Sequence, residues 1–272
     1  MNEHTSEPTG SLPPASAGKL RSVRRLTQRK HRVESGEFLA EGPQAVREAL
    51  AFGYARELFV RAGADADEFV DAAREAGVPA YGIGEADLAR LADTVHPQGV
   101  LAVCTWPQRT LDDLPDGPKL VVVCAQIRDP GNAGTVIRCA DAFGADAVIL
   151  SADSVEVTNP KVVRASVGSL FHLPVITGAR LEEIVAELRD RGVQVLAADG
   201  GGTDRLDTMA AAGDLTQPIA WLMGNEAWGL PAEHAALADR RVAVPLWGAA
   251  ESLNLATAAA VCLYTTASAQ RS

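Results

Sequence analysis

Residues 120–125 form an unbroken apolar run, Leu-Val-Val-Val-Cys-Ala. A run of this length without polar alternation is typical of a strand buried on both faces of a parallel sheet. Further strand-like runs follow at 147–151, 173–177, 193–198, 218–223 and 241–246. Helical segments are predicted between them, of which 181–191, capped by Gly192, has the clearest pattern, and a last helix is predicted over 252–267. This alternation predicts an α/β domain with a parallel sheet.

A smaller α/β unit is predicted ahead of this domain. A helix opens at Pro43 and ends before Gly53, and further helices are expected over 66–76 and 85–92. Short strands are expected around 58–60, 78–81 and 99–104. Because residues 106–118 are rich in proline and acidic residues, they indicate a boundary. The predicted organisation is a disordered tail (1–18), a first domain (19–107), a linker (108–118) and a second domain (119–272).

Charge is unevenly distributed along the chain. The net charge is −10, which argues against nucleic-acid binding through net charge alone. Residues 19–32 nevertheless contain no acidic side chain, and their basic residues are candidates for RNA phosphate contacts. These candidates are Lys19, Arg21, Arg24, Arg25, Arg29, Lys30 and Arg32. The alternative is a solubilising N-terminal helix.

Cysteine and histidine spacing gives no sign of a metal site or a disulfide framework. The 4 cysteines form no C-x-x-C pair, and the 5 histidines show no metal or triad spacing. Cys124 and Cys139 lie in apolar runs and are expected to be buried. No apolar stretch approaches the roughly 18 residues of a membrane span, and the N-terminus is unlike a signal peptide. We therefore expect a cytoplasmic protein without a metal.

Three polar segments lie at predicted ends of strands or starts of helices. In 129–140, Asn132 suits a helix cap, and Gly134 lies one turn from Arg138, which would leave space for a substrate backbone near the guanidinium. The alternative is an ordinary loop-to-helix transition with a surface arginine. This segment is neither a G-x-G-x-x-G fingerprint nor a Walker loop.

The other two segments are Met-Gly-Asn-Glu (223–226) and Glu-Ser-Leu-Asn (251–254), each after an apolar strand. Gly224 would allow close approach of a flat ligand. Glu226 is either a hydrogen-bonding group in a crevice or a plain acid at the entry of a helix. Ser252 suits a helix cap, and Asn254 could equally be one. Open α/β sheets build their binding crevices at such strand ends.

Together, these segments resemble the SpoU-type (TrmH-type) RNA ribose 2′-O-methyltransferases of the SPOUT superfamily. The matching positions are Asn132, Gly134, Arg138, Ala140, Gly224, Glu226, Ser252, Leu253 and Asn254. The stretch 161–174 resembles the family's second-helix region, and 38–43 with 97–100 resemble an L30e-like RNA-binding domain. The resemblance implies a homodimer, S-adenosylmethionine as methyl donor, and a parallel-sheet domain with a C-terminal deep trefoil knot.

The resemblance also implies roles for individual residues. Arg138, Asn132, Glu226, Ser252 and Asn254 would form the catalytic set. Met223, Gly224, Asn225, Val244, Leu246 and Leu253 would hold the methyl donor. Since arginine stays protonated in proteins, we expect Arg138 to stabilise charge and position the ribose rather than act as a literal base.

The expected reaction is 2′-O-methylation of a ribose in structured RNA, with 23S ribosomal RNA favoured over transfer RNA. A catalytically idle ribosomal-RNA-binding protein is the second interpretation, and donor binding would separate the two. A nucleotide-dependent oxidoreductase is disfavoured because the glycine fingerprint is absent.

Overall fold

The computed structural model describes residues 12–272, and the chain divides into two compact units after Pro107. Within the described residues, no helix has both the length and the apolar character needed to cross a membrane.

The first unit is a mixed four-stranded sheet with helices. Its strands are β1 (Glu37–Glu41), β2 (Ala55–Arg61), β3 (Ala80–Ile83) and β4 (Val100–Thr105), in the order β1-β4-β2-β3. Its helices are α1 (Ala17–Arg25), α2 (Arg29–Ser35), α3 (Pro43–Ala51), α4 (Asp67–Glu75) and α5 (Glu85–Leu91). Strand β4 is antiparallel to β1 and β2, whereas β2 and β3 are parallel. The predicted strands and helices of this region each overlap an observed element, although β3 begins two residues later than predicted, and β1 was not predicted.

The predicted tail is wrong for residues 12–18. The Gly82 N–H donates to the Pro13 carbonyl at 3.0 Å, and the Ala15 N–H donates to the Gly82 carbonyl at 3.0 Å, so this segment lies along β3. Helix α1 then begins at Ala17, with the Ser16 hydroxyl as its cap. The rest of the predicted tail, 1–11, lies outside the described residues.

The second unit contains a seven-stranded sheet. Its strands are β5 (Leu120–Cys124), β6 (Ala147–Leu150), β7 (Val175–Thr177), β8 (Gln194–Ala198), β9 (Asp204–Arg205), β10 (Ile219–Met223) and β11 (Arg240–Ala243). Its helices are α6 (Pro130–Ala142), α7 (Pro160–Ser166), α8 (Leu181–Asp190), α9 (Leu206–Ala212), α10 (Ala232–Ala235) and α11 (Leu255–Arg271). The strand order is β7-β6-β5-β10-β8-β11-β9, and every pair is parallel. The predicted parallel sheet is confirmed.

Helices cover both faces of this sheet. Side chains along each strand point alternately to the two faces, so each strand contributes to both layers of the core. On one face, Val121 and Val123 of β5 pack in a cluster with Leu188 of α8. Helix α11 covers β10 and β5, and the buried Trp221 indole donates to the Thr266 hydroxyl at 2.9 Å. Burial on both faces explains why these strands read as continuous apolar runs.

Part of the predicted linker belongs to the second unit. Residues 111–113 form a short 3-10 helix, and Leu114 is 3% exposed in the same core cluster as Leu188. The Leu114 carbonyl also accepts a bond from the Arg191 guanidinium at 2.9 Å. The prediction of a linker is therefore corrected at these residues, because Leu114 packs in the core of the second unit and its carbonyl is bonded to Arg191.

Candidate functional site

A crevice of about 350 Å³ lies at the carboxyl ends of β8, β10 and β11. Parallel strands bring their carboxyl ends to one sheet edge, which is where such sheets bind ligands. All six predicted donor-binding residues line this crevice: Met223, Gly224, Asn225, Val244, Leu246 and Leu253. Glu226 and Ser252 line it too. The structure thus brings together residues that are up to 30 positions apart in the sequence.

A tight hairpin, residues 224–229, forms one wall of the crevice. The Asn225 and Gly229 backbones exchange hydrogen bonds of 2.8 and 2.9 Å, and Gly229 has a φ of 67°. The buried Asn225 side chain donates to the Gln126 carbonyl at 2.7 Å and accepts from the Ala227 N–H at 2.9 Å. Its backbone and side chain are therefore occupied in building the loop, so Asn225 shapes the crevice rather than presenting a free polar side chain to it.

Gly224 has a different role from the predicted one. A Cβ at this position would lie 2.4 Å from the Gly229 carbonyl carbon and 2.7 Å from the Leu230 nitrogen. The close approach at Gly224 is thus that of the hairpin's own backbone, and no ligand is needed to explain the glycine.

Glu226, at the tip of this hairpin, is joined to the start of α6. Its carboxylate accepts from the backbone N–H groups of Asp129 at 3.0 Å and Arg128 at 3.3 Å. The Asn132 side-chain amide donates to it at 3.4 Å. A carboxylate near a helix N-terminus is electrostatically favourable. The structure therefore places Glu226 as a hydrogen-bonding group, the first of the two predicted alternatives.

Asn132 is also bonded to Asn254, from the third segment. The Asn254 amide donates to the Asn132 Oδ1 at 3.0 Å, and Asn254 Oδ1 accepts from the N–H groups of Ala256 at 2.9 Å and Thr257 at 3.3 Å. Asn254 is thus both the N-cap of α11 and a partner of the crevice network. We call Glu226, Asn132 and Asn254 the amide–carboxylate network.

Two predicted caps are corrected. Helix α6 is capped by Asp129, whose carboxylate accepts from the Asn132 N–H at 2.7 Å, so Asn132 lies inside the first turn. Helix α11 begins at Leu255, so Ser252 precedes its cap by two residues. Several neighbouring residues could serve as caps in each segment, and propensity alone does not choose among them.

Arg138 and Ser252 stand apart from the network. Arg138 lies on the exposed face of α6, well beyond Asn132 on the helix. Within residues 12–272, neither Arg138 nor Ser252 makes a side-chain hydrogen bond or ion pair. A single chain therefore brings Asn132, Glu226 and Asn254 together and leaves Arg138 free to meet something else.

The predicted space beside Gly134 is filled by another helix. A Cβ there would lie 2.5 Å from the Val162 carbonyl oxygen, 2.6 Å from Ala165 Cβ and 2.9 Å from the Ser166 nitrogen. Gly134 is buried where α6 packs on α7. The hypothesis that it admits a substrate backbone is wrong, and the glycine serves helix packing.

The sequence interpretation missed the floor of the crevice, residues 198–200, which follow β8. Asp199 accepts from the Arg241 guanidinium at 2.9 Å and from the Gly201 N–H at 2.9 Å. Burial raises the pKa of Asp199, but these bonds lower it by more, so its pKa lies below the usual value. An acidic residue and three glycines directly after an apolar strand were the signal that could have revealed this floor.

The remaining titratable groups of this region offer no thiolate or metal site. Burial raises the pKa of the Cys124 thiol to about 12, so it stays protonated. Cys139 is only half-buried, short of its predicted burial. No group of three or more potential metal-ligating acidic, histidine or cysteine residues occurs in the described part of the chain.

The basic residues of 19–32 differ in their surroundings. Arg32 is 5% exposed, and its guanidinium donates to the carbonyls of Leu26 and Thr27 at 3.0 and 3.1 Å. Lys19 is paired with Glu57, which raises the lysine's pKa. The prediction that Arg32 contacts RNA is therefore corrected, because this guanidinium joins α2 to the end of α1.

The exposed members of the basic stretch are Arg21, Arg24, Arg25, Arg29 and Lys30. Arg21 and Arg24 line a groove of about 260 Å³ between α1 and α5, together with the ion pair of Arg90 and Asp87. In residues 12–272, neither Arg21 nor Arg24 has a side-chain hydrogen bond or ion pair. Two unneutralised guanidinium groups one turn apart form a favourable surface for an anion.

Sequence comparison matches both units to known families. Residues 119–264 match the SpoU rRNA Methylase family, and residues 18–102 match the MRM3-like substrate binding domain. The chain is 36% identical over 250 residues to the 23S rRNA (guanosine(2553)-2′-O)-methyltransferase RlmP of Bacillus subtilis, covering 90% of this chain and 94% of that protein. It is 32% identical over 247 residues to the 23S rRNA (uridine(2479)-2′-O)-methyltransferase of Streptomyces viridochromogenes, covering 88% and 85%.

Solved structures show the same fold. The SpoU methyltransferase AviRb from Streptomyces viridochromogenes, in complex with AdoMet, superposes with a TM-score of 0.82 at 29% identity, covering 95% of this chain and 99% of that one. The AdoMet-bound rRNA methyltransferase from Sinorhizobium meliloti also gives 0.82, at 31% identity, covering 94% and 97%.

Proposed function

Because the chain belongs to the SpoU rRNA Methylase family, we propose that it methylates a ribose 2′-hydroxyl of 23S ribosomal RNA, with S-adenosylmethionine as donor. The observation that carries this function is the donor-sized crevice bordered by the amide–carboxylate network. Relatives named for 2′-O-methylation of 23S rRNA support the substrate.

The crevice fits the donor by shape and chemistry. Its volume of about 350 Å³ is within the usual range for small-molecule sites. Val244, Leu246 and Leu253 supply apolar walls for an adenosyl group. When bound, the donor supplies a methyl group on a positively charged sulfur.

The chain's own residues would orient and activate the ribose. In the transfer, a bond from the methyl carbon to O2′ would form while the carbon–sulfur bond breaks and leaves its electron pair on sulfur, and the O2′ proton would pass to solvent water. Glu226 fixes Asn132 and the first turn of α6, and Asn254 fixes the other side of Asn132. We propose that Arg138 stabilises charge on O2′ and that Ser252 helps to position the ribose.

We further propose a homodimer, a deep trefoil knot and a cytoplasmic location. The dimer is supported by the position of Arg138, which lies away from the network of its own chain. The knot is supported by α11, which follows β11 but returns across β10 and β5. The location follows from ribosomal RNA as substrate.

Methyl transfer to 23S rRNA, measured with labelled donor, tests the function. We expect Arg138→Ala to lower kcat by at least about hundredfold, as loss of a charge-stabilising group does, with donor affinity by calorimetry unchanged. Arg180→Ala is the matched control, since Arg180 is an exposed arginine that does not line the crevice and is paired with Glu183. Near-normal turnover by Arg138→Ala would refute its role, and wild-type protein that binds no donor would refute the function.

We also propose that the first unit holds the RNA through its exposed basic residues. The double change Arg21→Gln with Arg24→Gln should weaken RNA binding and reduce the slope of log K against log salt by up to about 1.8, at about 0.9 per phosphate contact. The control Arg180→Gln with Arg205→Gln removes the same charge from ion pairs on the second unit. Equal effects of both doubles would contradict a specific contact at Arg21 and Arg24.

A further inference from the structure

The tip of the 224–229 hairpin carries a tryptophan that the catalytic scheme does not use. Trp228 is 52% exposed. Hairpin residues Asn225, Gly224 and Gly229 are locked by the bonds and packing described above, and Glu226 is bonded to α6. Trp228 is therefore presented on a rigid loop whose other groups are already engaged.

Arg128 lies against this tryptophan. Its guanidinium carbon is 5.6 Å from the Trp228 ring centroid, a cation–π contact. The Arg128 backbone N–H is the group that donates to Glu226, so the pair is tied to the network. Within the described residues, neither the guanidinium nor the indole N–H makes a hydrogen bond, and the guanidinium has no carboxylate partner.

These unused groups match the chemistry of a nucleotide. Nucleobases stack on tryptophan and on guanidinium planes, and an unpaired arginine suits a phosphate. A nucleotide supplies both a π-face and a phosphate, whereas an aliphatic protein surface supplies neither. The position fits as well, because Ala227 and Gly229, on either side of Trp228, both line the crevice.

We propose that Trp228 and Arg128 form a platform for the RNA, on which Trp228 stacks a base at or next to the methylated nucleotide and Arg128 contacts its phosphate. This platform rests on the proposed function, and it adds a residue pair that would set which nucleotide enters the crevice. It requires no movement of the 224–229 loop.

The experiment compares Trp228→Leu with Trp228→Phe in the full chain. Leucine keeps an apolar side chain but removes the aromatic face, and phenylalanine restores it. We expect Trp228→Leu to raise the RNA Kd and KM by about tenfold to hundredfold, from the strength of base–aromatic stacking, with donor Kd unchanged. Trp228→Phe should stay within a few-fold of wild type. Arg128→Lys, which keeps the charge but loses the planar group, should give a smaller loss than Arg128→Gln.

Three outcomes would overturn the platform: unchanged RNA affinity in Trp228→Leu, equal loss in the Leu and Phe variants, or a loss that follows a change in oligomeric state by light scattering. The last would mean that a second copy of the chain covers Trp228. Failure of the proposed function is a separate result, since wild-type protein would then bind no donor or transfer no methyl group.

Discussion

Asn254 caps α11 through its side-chain oxygen and bonds Asn132 through its side-chain nitrogen, and a single substitution can separate these two roles. Its Oδ1 caps α11 by accepting from Ala256 at 2.9 Å and Thr257 at 3.3 Å, while its Nδ2 donates to Asn132 at 3.0 Å. Aspartate keeps an oxygen for the cap and replaces the donating amide by a second acceptor. Asn254→Asp should therefore preserve the helix and break the network.

The two effects have different expected sizes. Asparagine and aspartate cap helices about equally well, and a negative charge at a helix N-terminus is favourable, so the free energy of unfolding of Asn254→Asp should stay within about 0.5 kcal/mol of wild type. Asn254→Ala should lose about 1 kcal/mol of that free energy. In Asn254→Asp, Asn132 loses its donor and faces an acceptor. Because this bond is exposed, water can replace the donor at little cost in stability, whereas the lost alignment of Asn132 should lower kcat/KM by up to about hundredfold.

Urea unfolding and methyl-transfer kinetics together test this reasoning. Asn159→Asp is the matched control: Asn159 caps α7 by accepting from the Lys161 N–H at 2.9 Å and takes no part in the amide–carboxylate network. It should change neither stability nor kcat/KM. If Asn254→Asp kept full activity while Asn254→Ala lost it, Asn254 would be only a helix cap. If Asn254→Asp unfolded as easily as Asn254→Ala, the cap itself would be misassigned.

Three further predictions concern packing, thiol chemistry and charge. Gly134→Ala should lower the free energy of unfolding by about 1–3 kcal/mol through overpacking against α7. Gly18→Ala should raise it by up to about 1 kcal/mol, because a Cβ at Gly18 would meet its nearest neighbours only at 3.9 Å or more; a change of the same sign in both variants, measured by urea unfolding, would refute the packing role. Ellman's reagent should modify only Cys139 in the native protein, since the other three thiols are buried, and all four in urea; a second fast native thiol would contradict this. Because the pKa of Asp199 is lowered in the fold, Asp199→Asn should be less stable than wild type at pH 7 by under about 1 kcal/mol. The difference should begin to shrink as the pH falls below about 4 and disappear as the pH passes through the lowered pKa; a difference that does not shrink at all with falling pH would count against the carboxylate's charge as its source.

The sheet could be predicted because each central strand is buried on both faces and therefore needs apolar side chains on both. Strands β5 and β10 are continuous apolar runs in the sequence, and this pattern does not depend on which side chains they contact. The two-residue strand β9 was missed, since Asp204–Arg205 carries no apolar run at all. Short edge elements depend on tertiary contacts that leave little trace in composition.

The sequence predicted which residues belong to the site but not which hydrogen bonds their side chains make. Asn132, Glu226 and Asn254 were singled out from separate segments, and the structure bonds them to one another. What their atoms do could not be read from the sequence, because cap and network use the same side chain of Asn254. Arg32 shows the same limit, since a buried arginine bonded to carbonyls has the same letter as an exposed one facing RNA.

The site contains two kinds of side chain: those that are hydrogen-bonded to other residues of the chain, and those that make no side-chain hydrogen bond within the described residues. Three asparagine side chains are hydrogen-bonded to other residues of the chain: Asn132, Asn225 and Asn254. Changing them should therefore lower stability or distort the crevice, in addition to lowering turnover. Arg138 and Trp228 make no side-chain hydrogen bond in residues 12–272, so changing them should leave the folded chain nearly as stable as before. A residue that combines unchanged stability with lost turnover is one whose partner lies outside its own chain. Variants of Arg138 and Trp228 that behave in this way would support the proposed contacts with RNA and a second subunit, whereas the asparagines maintain the shape of the crevice.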